Sequence, residues 1–553
     1  MSAGLGKSAS RGAAVILGGQ GVRMVVQFAG IVILARLLTP ADYGLLAMVT
    51  AIIGVAEIFR DFGLSSAAIQ AKSITRGQQD NLFWVNTGVG AALSLIVLAS
   101  SGLIAHFYGD ERLQPLTAVI AVVYLLNGMS TQYRAHLTRT LSFARLTGAE
   151  IVGQSVGLAV GIAMALMGAG YWALAGQQVA AALAAQVALV VVTPWFPGWI
   201  KRDASIRPFL KYGTNLLGAH LLGYASRNAD TVIIGARFTP ADLGLYNRAF
   251  QLMMMPLIQI NAPATRVALP VLSRIQDDRE RYRTFILFGQ SALLMVVSFA
   301  FAFVGAQASS VIALALGSQW LAAIPLFQIL LLAGFFQAAG YATYWVFLSK
   351  GLTKANFRYA LATRPAMIGL LLVGALWGVE GVAWAYALGA ALTWPIGLFW
   401  ISRTSDAPAR TMFLNGLRTI VIFGAATAVS YASTVALPAD RYLVRLVVGF
   451  VALVATLALI ALVWPAFRRD VVELVGVRRY FRRSRSAPSP DDGATPDDGA
   501  APDDAAALFP GGPDDDALAT DAALPDGAPA LTDRPAEEDP ADASRPRAAA
   551  HRS

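Results

Sequence analysis

Thr39-Pro40-Ala41-Asp42-Tyr43-Gly44-Leu45 returns two hundred residues later as Thr239-Pro240-Ala241-Asp242-Leu243-Gly244-Leu245, with six of seven positions identical. Each copy follows an apolar stretch (VILARLL, then IIGARF) and opens another. The composition is that of a helix start: Thr caps the next helix, Pro suits its first turn, and Asp sits at its positive end. A looser echo relates Gly168–Ala175 (GAGYWALA) to Gly378–Ala385 (GVEGVAWA). The other reading of the motif is a favourable turn used twice.

The stretches around these turns are membrane spans. Of 553 residues, 56% are apolar and 14% charged, far from a soluble multidomain enzyme. Apolar runs of about 20 residues, long enough for a bilayer core, recur from Gly12 to Phe467. Bounded by charges and turn residues, they predict an all-α polytopic membrane protein with fourteen helices. These lie near 12–36, 43–60, 80–106, 113–134, 146–167, 171–194, 212–236, 242–263, 284–305, 322–348, 358–377, 381–402, 413–436 and 443–466. The repeat implies two six-helix lobes, 1–200 and 201–404, entering the membrane from the same side and related by an axis along its normal. Helices thirteen and fourteen (405–466) stand outside it.

Charge sets the expected orientation. With both termini cytoplasmic, inner connections hold 29 Lys and Arg, against five outside: Arg36, Arg112, Arg237, Arg441 and Arg445. The net charge of +9 divides into +21 before residue 487 and −12 after it. Residues 467–486 read as a basic interfacial helix on anionic lipid or an ordinary positive stop. Residues 487–553, rich in Ala, Asp, Pro and Gly, read as a disordered acidic tail.

The sequence removes several chemistries. It has no cysteine and only four scattered histidines, so thiol catalysis and a metal site are not expected, and no cofactor is implied. Gly4-Leu5-Gly6-Lys7-Ser8 lacks the first glycine and the strand of a phosphate loop. The basic residues follow membrane topology and make no case for nucleic acid.

Five arginines remain inside spans: Arg23, Arg227, Arg248, Arg364 and Arg418. A cation at mid-bilayer costs at least roughly 2.5–3.5 kcal/mol on insertion scales, so it should face protein or water. Arg364 and Arg418 lie near a helix end and can snorkel, Arg418 most easily. In the seventh span His220, Tyr224, Arg227 and Thr231 share one stripe, with Asp230 a turn from Arg227. That stripe lines a cavity, or Arg227 and Asp230 pair and pin two helices. Arg23 has no carboxylate within a turn, which leaves an anionic ligand or a partner on another helix such as Glu57. A guanidinium fork suits a diphosphate, whereas Gln20, Gln27, Asn215 and Asn228 suit sugar hydroxyls or neighbouring helices. Glu57, Glu150 and Asp230 are carboxylates able to exchange a proton or Na+, Asp230 foremost; the two glutamates read equally as solvated flanks.

RLLTPADYGLLAMV, SRNADTVIIGARFTPADLGLYNRAFQL, ATRVALPVLSRIQDDRERYR and GLTKANFRYAL together resemble the polysaccharide transporter family of Wzx-type flippases, particularly its WzxC-like branch. The likeness covers roughly residues 10–470. It implies a V-shaped, two-lobed bundle in the bacterial inner membrane that moves undecaprenyl-diphosphate-linked oligosaccharide by alternating access for exopolysaccharide, capsule or O-antigen assembly. A polymerase and export machinery are implied as partners. Cationic cavity residues of that family map onto Arg23 and onto Arg227 in the R-N-x-D stretch, with Arg248 in YNRAF and Arg364 as further candidates for the diphosphate. A multidrug exporter of the same superfamily would want acidic and aromatic cavity groups instead. A membrane glycan polymerase would need larger outer loops, and a scaffold would need no cavity charge.

Overall fold

The computed structural model describes residues 2–57, 74–201, 224, 226–438 and 440–485, which are helical with no strand among them. The helices are α1 (Ser2–Leu37), α2 (Pro40–Ile53), α3 (Arg76–Tyr108), α4 (Leu113–Arg139), α5 (Phe143–Leu166), α6 (Tyr171–Val192) and α7 (226–237). They continue as α8 (Pro240–Arg274), α9 (Arg279–Ala306), α10 (Ile324–Ser349), α11 (Thr353–Gly374), α12 (Gly378–Thr404), α13 (Ala409–Val435), α14 (Tyr442–Val463) and α15 (Pro465–Arg485). Ten helices among the described residues are long and apolar enough to cross a membrane. One of these, Thr353–Thr404, is α11 and α12 joined through a 3-10 turn. Of the other expected spans, α2 is short, α7 lies partly outside the described residues, and α8 is too polar to qualify.

Helix ends differ from expectation, among them the start of α1, at Ser2 rather than 12, and the end of α2, at Ile53 rather than 60. The eighth span was expected over 242–263, but α8 runs on to Arg274 through Pro256, Pro263 and Pro270. Intramembrane proline does not end a helix when neighbouring helices satisfy the freed backbone groups. Between α9 and α10 the chain makes a short helix, Ala308–Ala315, and a 3-10 turn, Ser318–Ala323, where the apolar pattern showed only a connection.

The duplicated motif forms the same structure twice. Thr39 and Thr239 both close capping boxes: the Thr39 hydroxyl accepts from Asp42 N at 3.4 Å while Thr39 N donates to the Asp42 carboxylate at 2.9 Å. In the second copy both distances are 3.2 Å. Replacing either threonine with valine should lower stability by about 1 kcal/mol, read as a fall in thermal midpoint of the detergent-purified protein. The two motif helices cross each other at their glycines. A Cβ on Gly44 would lie 1.7 Å from the Pro240 carbonyl oxygen, and one on Gly244 would lie 1.8 Å from that of Pro40. Each helix therefore meets the other through the same residues, as a twofold-related pair must.

A second close crossing joins α5 to α6. Gly153, Gly157 and Gly161, one turn apart, lie against Ala185, Ala181 and Gln177, with added Cβ atoms 2.6, 2.5 and 3.0 Å from the side chains there. This is the small-residue stripe through which membrane helices approach closely. Trp320, Trp345, Tyr282, Phe301 and Phe327 fill the main core. Large aliphatic side chains such as Leu103, Val187, Val447 and Leu462 face outward, as lipid-facing surfaces require.

Connections carry local ion pairs. Asp110 accepts from the Arg112 guanidinium at 2.7 Å, and this bond holds its carboxyl below the usual range. Lys350 donates to Asp406 at 2.6 Å and to the Gln276 carbonyl at 2.9 Å, tying the ends of α8 and α10 to the segment before α13. Arg418 on α13 bonds Asp470 on α15, so this arginine is committed to holding the two helices together.

Candidate functional site

Two cavities share a wall made by α2 and α8, where Ala47, Thr50 and Asn247 belong to both. The larger, about 450 Å³, takes Glu57, Tyr224, Arg227, Asn228 and Thr231. Three of the stripe residues expected on the seventh span, Tyr224, Arg227 and Thr231, thus line one space. His220 and Asn215 lie outside the described residues. Tyr224 donates to the Thr50 and Ala51 carbonyls at 3.0 and 3.1 Å, near the point where α2 turns at Gly54. Asn228, in the cavity lining, donates back to the Tyr224 carbonyl at 3.0 Å.

Arg227 and Asp230 do not form the pinning pair. Asp230 is 2% exposed and accepts from Tyr246 Oη at 2.9 Å and from Thr231 N at 2.8 Å. The i,i+3 spacing would allow a pair, but the Asp230 carboxylate turns into the core toward Tyr246 on α8 instead. Arg227 is exposed and has no ion-pair partner among the described residues. Arg364 on α11 is half-buried and within electrostatic reach of Arg227, Tyr344 and Tyr359.

The partner of Arg23 is Glu150 on α5, not Glu57. Glu150 accepts from Arg23 at 2.7 Å through one oxygen and from Arg134 on α4 at 3.0 Å through the other. The trio carries a net single positive charge, and both arginine side chains stay about 40% exposed. No in-helix spacing could have identified this contact, because its partners are 127 and 16 residues apart in sequence. Glu150→Gln should destabilise the protein more than Arg23→Gln, by on the order of 1 kcal/mol, because it removes both ion pairs of the trio, whereas Arg23→Gln leaves Glu150 paired with Arg134. Gln20 is exposed on α1 and lines neither cavity.

The second cavity, about 300 Å³, is walled by amides: Gln27, Gln154, Gln177, Asn247 and Gln251. Arg248 closes it. This side chain is 5% exposed, its Cζ lies 3.9 Å from the centre of the Tyr43 ring and 5.6 Å from that of Trp320, and its Nη1 donates to Gln251 at 2.7 Å. Its Nε has no hydrogen-bond partner. Stacking on desolvated rings stabilises the cation by roughly 2 kcal/mol. Trp320 also donates to the Ala35 carbonyl at 2.7 Å, and Gln319 to that of Leu38 at 2.9 Å. Side chains from the 3-10 turn thus cap the last carbonyls of α1, with Arg36 returning a bond to Leu314.

This polar crossing breaks the repeat. At the offset of two hundred, Tyr43 corresponds to Leu243 and Arg248 to Met48. Met48 and Leu243 are buried and share a neighbour, since a Cβ on Gly235 would meet them at 3.2 and 3.4 Å. One member of the related pair of contacts is apolar and the other is an arginine stacked on tyrosine. Aligning the two copies beyond the motif would have exposed the substitution. Gln154, Gln177, Gln251, Asn247 and Trp320 carried no comparable signal, because single amides and a tryptophan in apolar spans read as packing. Among the described residues no group of three or more acidic or histidine side chains could hold a metal.

The sequence and the fold have counterparts. The chain is 25% identical over 373 residues to the lipopolysaccharide biosynthesis protein WzxC of Escherichia coli K12, covering 64% of this chain and 73% of that one. It is 28% identical over 360 residues to the teichuronic acid biosynthesis protein TuaB of Bacillus subtilis, covering 62% and 71%. Among solved structures, the lipid II flippase MurJ in an inward closed conformation superposes with a TM-score of 0.62 at 12% identity, across 83% of this chain and 100% of that one. That likeness carries the fold. The profile of the polysaccharide biosynthesis protein family matches residues 33–325, just over half of the sequence. With both copies of the duplicated helix start inside the matched region, this multi-pass membrane protein belongs to the polysaccharide biosynthesis protein family, of the Wzx type that its motifs resemble.

Proposed function

We propose that this protein carries a lipid-diphosphate-linked oligosaccharide across the cytoplasmic membrane by alternating access, with both termini cytoplasmic. The observation that carries the reading is Arg227, exposed in a polar cavity with no acidic partner among the described residues. A permanent cation held in a membrane protein without an ion pair is stable where water or an anion reaches it. Arg227 and Arg364 together take the diphosphate, each able to donate a paired set of hydrogen bonds. Arg248 is a second cationic position, and Arg23 acts within its trio with Glu150 and Arg134 as a weaker one. The amides Gln27 and Asn228 face the glycan, and the lipid tail stays in the bilayer.

Glu57 on the Arg227 cavity and buried Asp230 are the candidates for exchanging a proton or Na+ during the cycle. A polymerase and export machinery would receive the translocated unit. A drug exporter handling organic cations is disfavoured, because unpaired guanidinium groups would repel its substrate. The test is Arg227→Ala in cells lacking the native gene: polymer export should stop while the protein remains in the membrane.

A further inference from the structure

A third cavity, about 210 Å³, lies between α10, α11 and α12, away from the duplicated motif. Six aromatic side chains line it: Phe336, Tyr341, Tyr344, Phe347, Tyr359 and Trp394. Gln337, Thr343, Asn356 and Thr393 supply its polar groups, and no charged side chain lines it among the described residues. It is smaller than the roughly 300–1,000 Å³ typical of sites for drug-sized ligands.

Two polar atoms in this wall are orphaned. Thr343 is 4% exposed and Trp394 is 3% exposed, yet Thr343 Oγ1 and Trp394 Nε1 have no hydrogen-bond partner. A buried hydroxyl or indole N–H left unpaired costs about 1–3 kcal/mol. The cost falls away when a ligand or water completes the bond. The rings are held by their own contacts: Trp394 stacks on Phe413 at 5.2 Å, Phe347 on Tyr359 at 5.7 Å, and Tyr359 Oη donates to the Thr393 carbonyl at 2.8 Å. Tyr344, 45% exposed, is the freest face.

We infer that this aromatic cavity is the subsite for one neutral pyranose, the sugar bonded directly to the carrier's diphosphate. Aromatic faces cover the apolar C–H face of a sugar ring, and amides and hydroxyls bond its edge. A prenyl chain would use the rings but leave the Thr343 and Trp394 groups unpaired. An acidic sugar would lack a cation in the lining. The place of the cavity relates it to the phosphate through α11, which carries Tyr359 into the cavity lining and Arg364 little more than one turn further on. A diphosphate held by Arg227 and Arg364 therefore has its first sugar beside these rings. The inference rests on the proposed carrier reading and adds where, and by which chemistry, the glycan is recognised.

The test uses the full chain in nanodiscs, titrated with undecaprenyl diphosphate and with undecaprenyl diphosphate bearing a single glucose, galactose or N-acetylglucosamine. At least one sugar-bearing lipid should bind about tenfold tighter than the bare lipid, the equivalent of roughly 1.4 kcal/mol. Tyr344→Ala and Asn356→Ala should each erase that gain, leaving affinity for the bare lipid and the thermal midpoint unchanged. No gain with any sugar, or a gain surviving both substitutions, overturns the subsite. Loss of bare-lipid binding in Arg227→Ala reports separately on the phosphate reading, so failure of either is distinguishable from failure of the other.

Discussion

Gly44→Ala and Gly244→Ala are each expected to destabilise the protein by about 3 kcal/mol or more, at the upper end of the usual overpacking range. The added methyl group would lie 1.7 Å from the Pro240 oxygen in the first case and 1.8 Å from the Pro40 oxygen in the second. Both obstacles are backbone, held by a capping box and a proline at the helix start, so no flexible side chain can yield. Relief requires α2 and α8 to move apart, which opens the Tyr43–Arg248 stack and the Met48–Leu243 contact beside it. The measurement is the thermal midpoint and yield of detergent-purified variants. Gly88→Ala and Gly102→Ala on α3 are the controls, because nothing lies within 4 Å of either added Cβ and alanine favours the helix. If Gly44→Ala melts with these controls, the glycine crossing is not the contact that joins the repeats.

Arg227→Ala is expected to abolish polymer export in cells that depend on this protein, at wild-type levels in the membrane. Losing the hydrogen bonds of an exposed guanidinium to a charged group costs roughly 1.5–3 kcal/mol, which corresponds to about tenfold or more in affinity. Arg227→Lys should fall between alanine and wild type, since an ammonium keeps the charge but not the paired donors. Arg23→Ala should cost less than Arg227→Ala, because Glu150 already shares the Arg23 charge with Arg134. Equal export by wild type and Arg227→Ala would remove this arginine from the transport path.

The architecture was legible because a membrane reduces it to few signals. Apolar length located the helices, and the Thr-Pro-Ala-Asp starts located the repeat and its capping. Boundaries slipped where the bilayer rule loosens. The apolar window of the eighth span closed at 263 although α8 runs on to Arg274, and the Ala308–Ala323 segment was too short to register as structure. Arg227 was legible because an unmatched cation in an apolar helix is expensive. The Arg23–Glu150–Arg134 trio was not, since its members meet only after α1, α4 and α5 have packed. The amides Gln154, Gln177, Asn247 and Gln251 and the aromatic cavity were invisible for a different reason: in a membrane helix each such residue alone reads as helix packing, and only their convergence makes a site.

The central claim is that a cationic, polar cavity accepts the anionic head of a polyprenyl carrier. Equilibrium titration of the purified protein in nanodiscs with undecaprenyl diphosphate and with uncharged undecaprenol tests it most directly. Saturable binding of the diphosphate is expected, with weak binding of the alcohol and a fall of the diphosphate toward the alcohol in Arg227→Ala. Equal binding of both lipids, unchanged by Arg227→Ala, would contradict it.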